Sequence, residues 1–246
     1  MRILLLQNHD NSGPGYLEEP AARRGVRFEA CMPHLNADHR LPEDDSDYDG
    51  FLLMGGAMHA GHVEEHPWLE DAAALVRRFT EAEKPVLGVC LGSQIVARAF
   101  GGHCYDVDVP EVGFVPIRLT QAAETDPLLG QGFDNPVHLA EFHSQTFDIP
   151  EGATRLMVGE EVPNQAFRIG AATYSFQPHF EVTPEMMTHW VSISDEIVPT
   201  HYPTLPEALP HQLQLHHFAS HDFCYRVGDA WLDLIAARAR RDGEGG

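Results

Sequence analysis

The sequence predicts an α/β fold with a doubly wound, mostly parallel sheet, helices on both faces and a C-terminal helical extension. Short apolar runs such as Ile3–Leu6 and Val86–Val89 are too short for helices and do not alternate with polar residues, which is typical of strands buried on both faces. Segments with helical spacing lie between such runs, and this alternation favours a parallel sheet. The chain of 246 residues is long enough for one large domain.

The first 54 residues predict three strands and one helix, joined by polar segments rich in Asn, Asp, Gly and Pro. The predicted elements are a strand at 2–7, a helix at 17–24 and strands at 26–31 and 50–54. Functional loops of a parallel sheet lie at the carboxyl ends of its strands. The Gly55-Gly56 pair after the third strand is therefore a candidate site segment.

The next segment contains a histidine pattern similar to a zinc-binding motif. His62-Val-Glu-Glu-His66 matches the H-x-x-E-H pattern of one group of zinc peptidases. That chemistry requires a helix that places both histidines on one face, whereas Pro67 disfavours helical geometry at His66. We therefore predict a polar loop without a metal, followed by a helix at residues 68–80.

Cys90 lies where a buried strand turns sharply into a helix. Gly88 and Gly92 flank it two residues away on either side, which is typical of a nucleophile elbow with sulfur in place of oxygen. The unpaired amides of the first helical turn favour the reactive thiolate. The amide of Leu91 would face an oxyanion formed when Cys90 attacks a carbonyl. The alternative, a small core residue, would require neither glycine.

A candidate base follows a later strand. Thr173–Phe176 is β-branched and aromatic, which predicts a strand, and His179 and Glu181 follow it. Side chains two residues apart in an extended chain point to the same side, so Glu181 is placed to orient the imidazole. The chain has 16 histidines. The strand-end position and the paired carboxylate distinguish His179 as the candidate base.

The remaining elements predict hairpins and a helical end to the chain. Short strand-like runs separated by turn residues favour mixed pairing between residues 104 and 169. They cover residues 113–119, 137–142, 154–158 and 165–169. Thr183-Pro184-Glu185 is typical of a helix start, and that helix is expected to end near Ser192.

We predict a main domain at residues 1–192 and a helical extension at 193–241 that packs on the same domain. The extension contains two predicted helices, at residues 205–219 and 227–241. Residues 242–246, with three glycines and two acids, are predicted to be a disordered tail.

Composition excludes several classes of function. The chain has 37 acidic and 16 basic residues, a net charge of −21, which would repel nucleic acid and anionic membrane surfaces. Four scattered cysteines without a C-x-x-C pair suggest neither a disulfide framework nor a cysteine zinc site. No run approaches the roughly 20 apolar residues of a transmembrane helix. We therefore expect a cytoplasmic protein.

Three sequence blocks carry a family resemblance. Phe51-Leu-Leu-Met-Gly-Gly56, Gly88-Val-Cys-Leu-Gly-Ser-Gln94 and Gln177-Pro-His-Phe-Glu181 resemble, in this order, motifs of the class I (triad) glutamine amidotransferases, particularly the amidotransferase domain of GMP synthetase. The resemblance covers about residues 1–190. It implies an amidase with Cys90 as nucleophile, His179 as base and Glu181 as its orienting carboxylate.

The resemblance also implies roles in substrate binding. The amides of Gly56 and Leu91 would form the oxyanion hole, and Gln94 would help to bind the glutamyl group. Residues 141–147 correspond to a histidine-containing loop that grips the amino acid end of the substrate; a solvated turn is the alternative. Three consecutive residues there are candidate substrate contacts: His143, Ser144 and Gln145. No cofactor is implied.

Three interpretations of the function remain open. The sequence contains no P-loop and no G-x-G-x-x-G motif for activating an ammonia acceptor. Either a separate synthetase subunit docks over the active site, or the protein acts alone as a hydrolase of glutamine or a γ-glutamyl compound. Both use a γ-glutamyl thioester on Cys90. The third is a non-enzymatic, flavodoxin-like redox sensor or regulatory module, which would need Cys90 but not His179. The oligomeric state is left open.

Overall fold

A computed structural model describes residues 1–35 and 40–244 of the protein. In these residues nine strands form one sheet in the order β2-β1-β3-β4-β9-β8-β7-β5-β6. The strands are β1 Ile3–Leu6, β2 Phe28–Cys31, β3 Gly50–Leu53, β4 Val86–Val89, β5 Cys104–Leu119, β6 Val137–Phe147, β7 Thr154–Val158, β8 Ala166–Ile169 and β9 Thr173–Phe176. The helices are α1 Glu18–Arg23, α2 Trp68–Glu81, α3 Leu91–Ala99, α4 Pro184–Ile193, α5 Ile197–His201 and α6 Leu205–Glu244.

The sheet has a parallel half and an antiparallel half. Strands β2, β1, β3, β4 and β9 are paired in parallel, and β8, β7, β5 and β6 continue the sheet with antiparallel pairing. The predicted α/β fold class is confirmed, with the hairpins in the segment where the sequence predicts mixed pairing. In the parallel half, the carboxyl ends of β3, β4 and β9 lie side by side.

Helices cover both faces of the parallel strands. Ile3 and Leu5 of β1 belong to a buried cluster with α6, whereas Leu4 and Leu6 belong to a second cluster with α2 and α3. Successive residues of a strand point to opposite faces, so each short strand contributes to both clusters. This explains why the strands are apolar throughout rather than alternating.

The C-terminal extension differs from the prediction of two helices. The 40 residues of α6 form one continuous helix. The expected break falls at residues 220–226, which contain neither glycine nor proline and so have no residue that ends a helix. Gly228 lies within α6, where a Cβ atom would be 3.0 Å from Leu17 and from Pro20, so close packing against the first helical segment favours glycine. None of the described helices, α6 included, is long and apolar enough to cross a membrane.

The predicted disordered tail is also partly wrong. Helix α6 extends to Glu244, so residues 242–244 are helical, and residues 245–246 lie outside the described part of the chain. Asp242 continues a helix whose preceding residues are good helix formers, and this continuity outweighs the local composition.

Helix α6 supplies large side chains to the core beneath the sheet. Phe223, Trp231 and Ile235 are at most 1% exposed and share a cluster with residues of β1, β3, β4 and β9. Phe218 on the same helix is 79% exposed. We therefore propose that the extension and the sheet unfold as one domain.

Trp231→Ala is expected to lower the free energy of unfolding by roughly 3–5 kcal/mol, because it leaves a large cavity in the shared core. Phe218→Ala, an aromatic truncation on the exposed side of α6, should change it by at most about 0.5 kcal/mol. Urea unfolding followed by circular dichroism measures both values. A small effect of Trp231→Ala, or a separate early transition of α6, would contradict a shared core.

Candidate functional site

Cys90 occupies a strained turn between β4 and α3. Its backbone has φ 52° and ψ −111°, a conformation rare for a residue with a side chain. Its amide donates to the carbonyl of Phe176 at the end of β9, 2.8 Å away. Its carbonyl accepts from the amides of Ser93 and Gln94 in the first turn of α3. These hydrogen bonds hold the strained residue in place.

The two flanking glycines are required by close backbone contact. A Cβ atom on Gly88 would lie 2.5 Å from the carbonyl oxygen of Gly92. A Cβ atom on Gly92 would lie 2.2 Å from the carbonyl oxygen of Leu53 in β3. Both distances are shorter than a carbon-oxygen contact allows. Glycine at these positions therefore lets α3 begin directly against the sheet, with Cys90 at the bend.

The sheet order brings His179 to Cys90. Strand β9 lies beside β4, with Phe176 paired to Val89, so the segment after β9 reaches the turn that carries Cys90. The His179 amide donates to the carbonyl of Ala140 in β6 at 2.7 Å, which fixes the backbone. His179 Nδ1 lies 2.8 Å from Glu181 Oε1, the pairing expected from their spacing.

The electrostatics of the pair favour a charged imidazole. Burial alone would lower the pKa of His179, but the adjacent Cys90 sulfur and the Glu181 carboxylate together raise it well above its ordinary value. Glu181 also hydrogen-bonds to the imidazole, and Cys90 lines the pocket together with it. The surroundings of His179 therefore favour the imidazolium form of its ring.

Gly55 and Gly56, which follow β3, lie against Cys90, His179 and Leu91. A Cβ atom on Gly55 would be 2.7 Å from Cε1 of His179 and 3.5 Å from Cβ of Cys90. A Cβ atom on Gly56 would be 2.9 Å from Cδ2 of Leu91. Leu91 is the first residue of α3, so its amide has no acceptor within the helix. Gly56 and Leu91 are therefore neighbours at the position predicted for the oxyanion hole.

A pocket of about 300 Å³ opens above Cys90. Seven of the nine site residues named from the sequence line it; Glu181 lies behind His179, and Leu91 lies at the start of α3. The seven are Gly56, Cys90, Gln94, His143, Ser144, Gln145 and His179. Gln94 donates to the Gln145 carbonyl at 3.1 Å, which joins α3 to β6 on one side of the pocket.

The local structure of residues 143–145 differs from the expected loop or solvated turn. These residues belong to β6, which pairs with β5 as far as Phe147. His143 is buried, with 5% of its surface exposed. Pairing with β5 continues the strand through these polar residues, and the partner strand is not visible from local sequence.

A buried ionic cluster beside the pocket was missed from the sequence. His143 Nε2 lies 3.1 Å from Glu111 Oε2 and 3.2 Å from Glu141 Oε2, and Gln165 donates to Glu111 at 2.9 Å. Glu141 and His143 are two residues apart on one strand, the same signal that paired His179 with Glu181. Glu111 pairs with His143 only through the β5–β6 register.

Burial and ion pairing within the cluster raise the pKa values of Glu141 and His143, respectively. Burial raises the pKa of Glu141 to about 7, and the ion pair with His143 limits the rise. Burial alone would lower the pKa of His143, but the carboxylates of Glu111 and Glu141 raise it to about 10. The three ligand atoms lie within 4.8 Å of one another, a spacing that suits a metal ion, but the protonated imidazole already bridges both carboxylates.

The other cysteines and the histidine pattern lie apart from this chemistry. Burial raises the pKa of the Cys31 thiol to about 11 and that of Cys104 to about 12, and it raises that of Cys224 well above its ordinary value. Residues 61–66 form turns rather than a helix, so His62 and His66 do not share a helical face.

Side chains from α4 and α5 form the remaining wall of the pocket. Trp190, Ile193 and Ile197 line it together with Phe142 of β6. The Trp190 ring packs edge-on against the His179 ring, with 4.7 Å between centroids. No sequence motif marks these residues, because their position depends on how α4 returns across the site.

The comparisons with known proteins point to one family. The family model described as glutamine amidotransferase class-I matches residues 17–192. The glutamine amidotransferase-like protein YfeJ of Salmonella typhimurium is 29% identical, over 80% of this chain and 82% of that protein. A glutamine-hydrolyzing GMP synthase subunit of Haloarcula marismortui is 25% identical, over 76% of this chain and 93% of that protein.

Two further similar proteins are a γ-glutamyl peptidase and a protein of known structure. Gamma-glutamyl peptidase 3 of Arabidopsis thaliana is 29% identical over 61% of this chain and 62% of that protein. A solved glutamine amidotransferase structure from Methylobacillus flagellatus superposes with a TM-score of 0.82 at 27% identity, covering 95% of this chain and 94% of that one.

Glu141→Gln is expected to change how stability depends on pH. The folded protein keeps the Glu141 carboxyl protonated up to about pH 7, whereas the unfolded chain releases the proton near pH 4.5. The free energy of unfolding of the unmodified protein, relative to the variant, should therefore fall across this interval, by at most about 1.4 kcal/mol per pH unit. Urea unfolding at several pH values measures the difference.

Glu160→Gln, a change at an exposed glutamate, is the matched control. A difference between the unmodified protein and Glu141→Gln that stays constant from pH 4.5 to 7 would mean that Glu141 is ionised in both states, and would contradict the protonation described here.

Proposed function

The chain belongs to the class I glutamine amidotransferase family, and we propose that it hydrolyses the side-chain amide of glutamine or of a γ-glutamyl compound through a thioester on Cys90. The observation that carries the proposal is that Cys90, on a strained turn, and His179, which is paired to Glu181, lie side by side against Gly55 at one pocket. A nucleophile, a base and an orienting carboxylate in contact are the elements of a catalytic triad.

In the first half of the proposed reaction, the Cys90 sulfur attacks the carbonyl carbon of the side-chain amide. The amides of Gly56 and Leu91 donate to the oxyanion that forms. His179 transfers its proton to the departing nitrogen, the carbon-nitrogen bond breaks, and a γ-glutamyl thioester remains on the enzyme.

In the second half, water attacks the thioester. His179 accepts the proton of the water, glutamate is released and the thiolate is restored. Glu181 holds Nδ1 of the imidazole at 2.8 Å, which directs Nε2 towards Cys90 in both halves and stabilises the imidazolium. Gln94 and residues 143–145 lie on the side of the pocket where we propose that the glutamyl end binds.

Two uses of this chemistry remain as candidates. The relative from Haloarcula marismortui is a synthase subunit, which supports delivery of ammonia to a separate synthetase partner. The apolar wall formed by Trp190, Ile193 and Ile197, together with the γ-glutamyl peptidase relative, supports a hydrolase that acts alone. A sensor would not need His179 paired with Glu181, so that pairing favours an enzyme over the non-enzymatic interpretation.

Purified protein is expected to release glutamate from glutamine or from γ-glutamyl amides, and Cys90→Ala should abolish the release because no thioester can form. Glu181→Gln should lower kcat by roughly 10²- to 10⁴-fold, since the imidazole loses its orienting carboxylate. A coupled assay for glutamate measures both effects.

Cys31→Ala is the matched control, because Cys31 is also buried but lies on β2, outside the pocket. It should retain the activity of the unmodified protein. Glutamate release that survives Cys90→Ala, or an unmodified protein that releases none from any compound tested, would overturn the proposal.

A further inference from the structure

We propose that the favoured substrate is a γ-glutamyl amide whose nitrogen carries an apolar group, and that Trp190, Ile193 and Ile197 form the subsite for that group. This inference rests on the proposed hydrolysis and names its substrate class. It follows from the direction in which the leaving group must point and from the side chains found there.

The position of His179 fixes the direction of the leaving group. The proton on its imidazole must reach the departing nitrogen, so that nitrogen lies beside the ring. The ring of Trp190 packs edge-on against the same imidazole, 4.7 Å between centroids. A substituent on the nitrogen therefore begins next to Trp190 and extends along the wall formed by the end of α4 and the start of α5.

Another part of the pocket lining, on α3 and β6, is polar. Gln94, Ser144 and Gln145 lie there, and Gln94 is fixed by its hydrogen bond to the Gln145 carbonyl. His143 lies next to these residues, with its Nε2 already paired to Glu111 and Glu141. The amide and hydroxyl groups of Gln94, Ser144 and Gln145 can hydrogen-bond the amino and carboxylate groups of a glutamyl residue, which leaves the apolar wall for the leaving group.

In the apolar wall, Trp190 is fixed by its contacts and Ile193 is exposed to solvent. Trp190 is held in place by a hydrogen bond from its indole Nε1 to the Asn11 carbonyl at 3.0 Å and by its edge-on contact with Phe142. Ile193 is 53% exposed, an unusual environment for a large apolar side chain, and it lies at the pocket rim. An apolar substituent would cover Ile193 and remove its surface from water.

Charge complementarity argues against a peptide leaving group. Among the described residues that line the pocket there is no lysine, arginine, aspartate or glutamate. The carboxylate of an amino acid leaving group would lose hydration against Trp190, Ile193 and Ile197. The nearby Asn11, Ser12 and Ser194 offer it hydrogen bonds, but none of the described lining residues is a lysine or arginine that would supply a countercharge. The leaving group therefore belongs to the class of apolar primary amines.

The chemistry balances without a further reactant. Cys90 sulfur bonds to the γ-carbonyl carbon, the bond from that carbon to nitrogen breaks, and the His179 proton goes to nitrogen, which leaves as the free amine. Water then cleaves the thioester to give glutamate and returns the proton to His179.

The test compares kcat/KM for glutamine, γ-glutamylmethylamide, γ-glutamylethylamide, γ-glutamylbutylamide and γ-glutamylglycine, measured as glutamate release. In the alkyl series kcat/KM is expected to rise by about fourfold per methylene until the wall is covered, the value for burial of one methylene. γ-Glutamylglycine, which is of similar size but charged, should be hydrolysed less efficiently than the ethylamide.

Ile193→Ser tests whether the wall causes the trend. It should lower the ratio of kcat/KM for the butylamide to that for glutamine, because a polar residue replaces the apolar rim. Leu215→Ser is the matched control, since Leu215 is 59% exposed on α6 and does not line the pocket. In Leu215→Ser, the ratio of kcat/KM for the butylamide to that for glutamine should equal the ratio of the unmodified protein.

The outcomes separate this inference from the proposed function. Hydrolysis of glutamine with no gain along the alkyl series would overturn the inference, leave the amidase intact and favour a protein partner as the occupant of the wall. Equal hydrolysis of γ-glutamylglycine and the butylamide, or an unchanged ratio in Ile193→Ser, would also overturn it. No hydrolysis of any compound would overturn both proposals.

Discussion

The candidate site depends on one steric constraint, the backbone contact between β3, β4 and the start of α3. Helix α3 begins so close to the sheet that Gly92 contacts the Leu53 carbonyl and Gly88 contacts Gly92, so neither position has room for a Cβ atom. This contact bends the chain at Cys90, which lines the pocket although it is only 5% exposed and packs in the buried cluster beneath the sheet. The strain at Cys90 is balanced by hydrogen bonds to β9 and to the first turn of α3.

The parallel half of the sheet brings together the other residues of the candidate site. Because β3, β4 and β9 are adjacent and run in the same direction, the glycine pair, the cysteine and the histidine meet at one edge although they are far apart in sequence. The antiparallel half adds a second group of buried ionisable side chains near the pocket. β6 carries Glu141 and His143 beside the pocket and fixes the His179 backbone through Ala140. The two halves therefore have separate roles: the parallel half positions Cys90 and His179, and the antiparallel half contributes residues 142–145 to the pocket lining.

Local sequence signals predicted the features whose causes are local. The sequence predicts Val86–Val89 at its observed bounds because an apolar run ends at a glycine-flanked turn. The two-residue spacing predicts the observed pairing of His179 with Glu181. Features that depend on distant partners were not predicted. The length of β6 depends on β5, and the ion pair of Glu111 with His143 depends on the register between them. The continuity of α6 across residues 220–226 depends on packing against the core, where Phe223 and Cys224 are fully buried, and local sequence does not show that packing.

The covalent intermediate on Cys90 is the central claim, and the most direct measurement is the mass of the Cys90 peptide after rapid acid quenching during turnover of a γ-glutamyl amide. The account predicts a γ-glutamyl adduct on this peptide that forms during turnover and disappears when the substrate is exhausted. It also predicts that the adduct accumulates when thioester hydrolysis is slower than its formation. Turnover with no adduct on Cys90 under any quench time, or an adduct on another cysteine, would contradict the account.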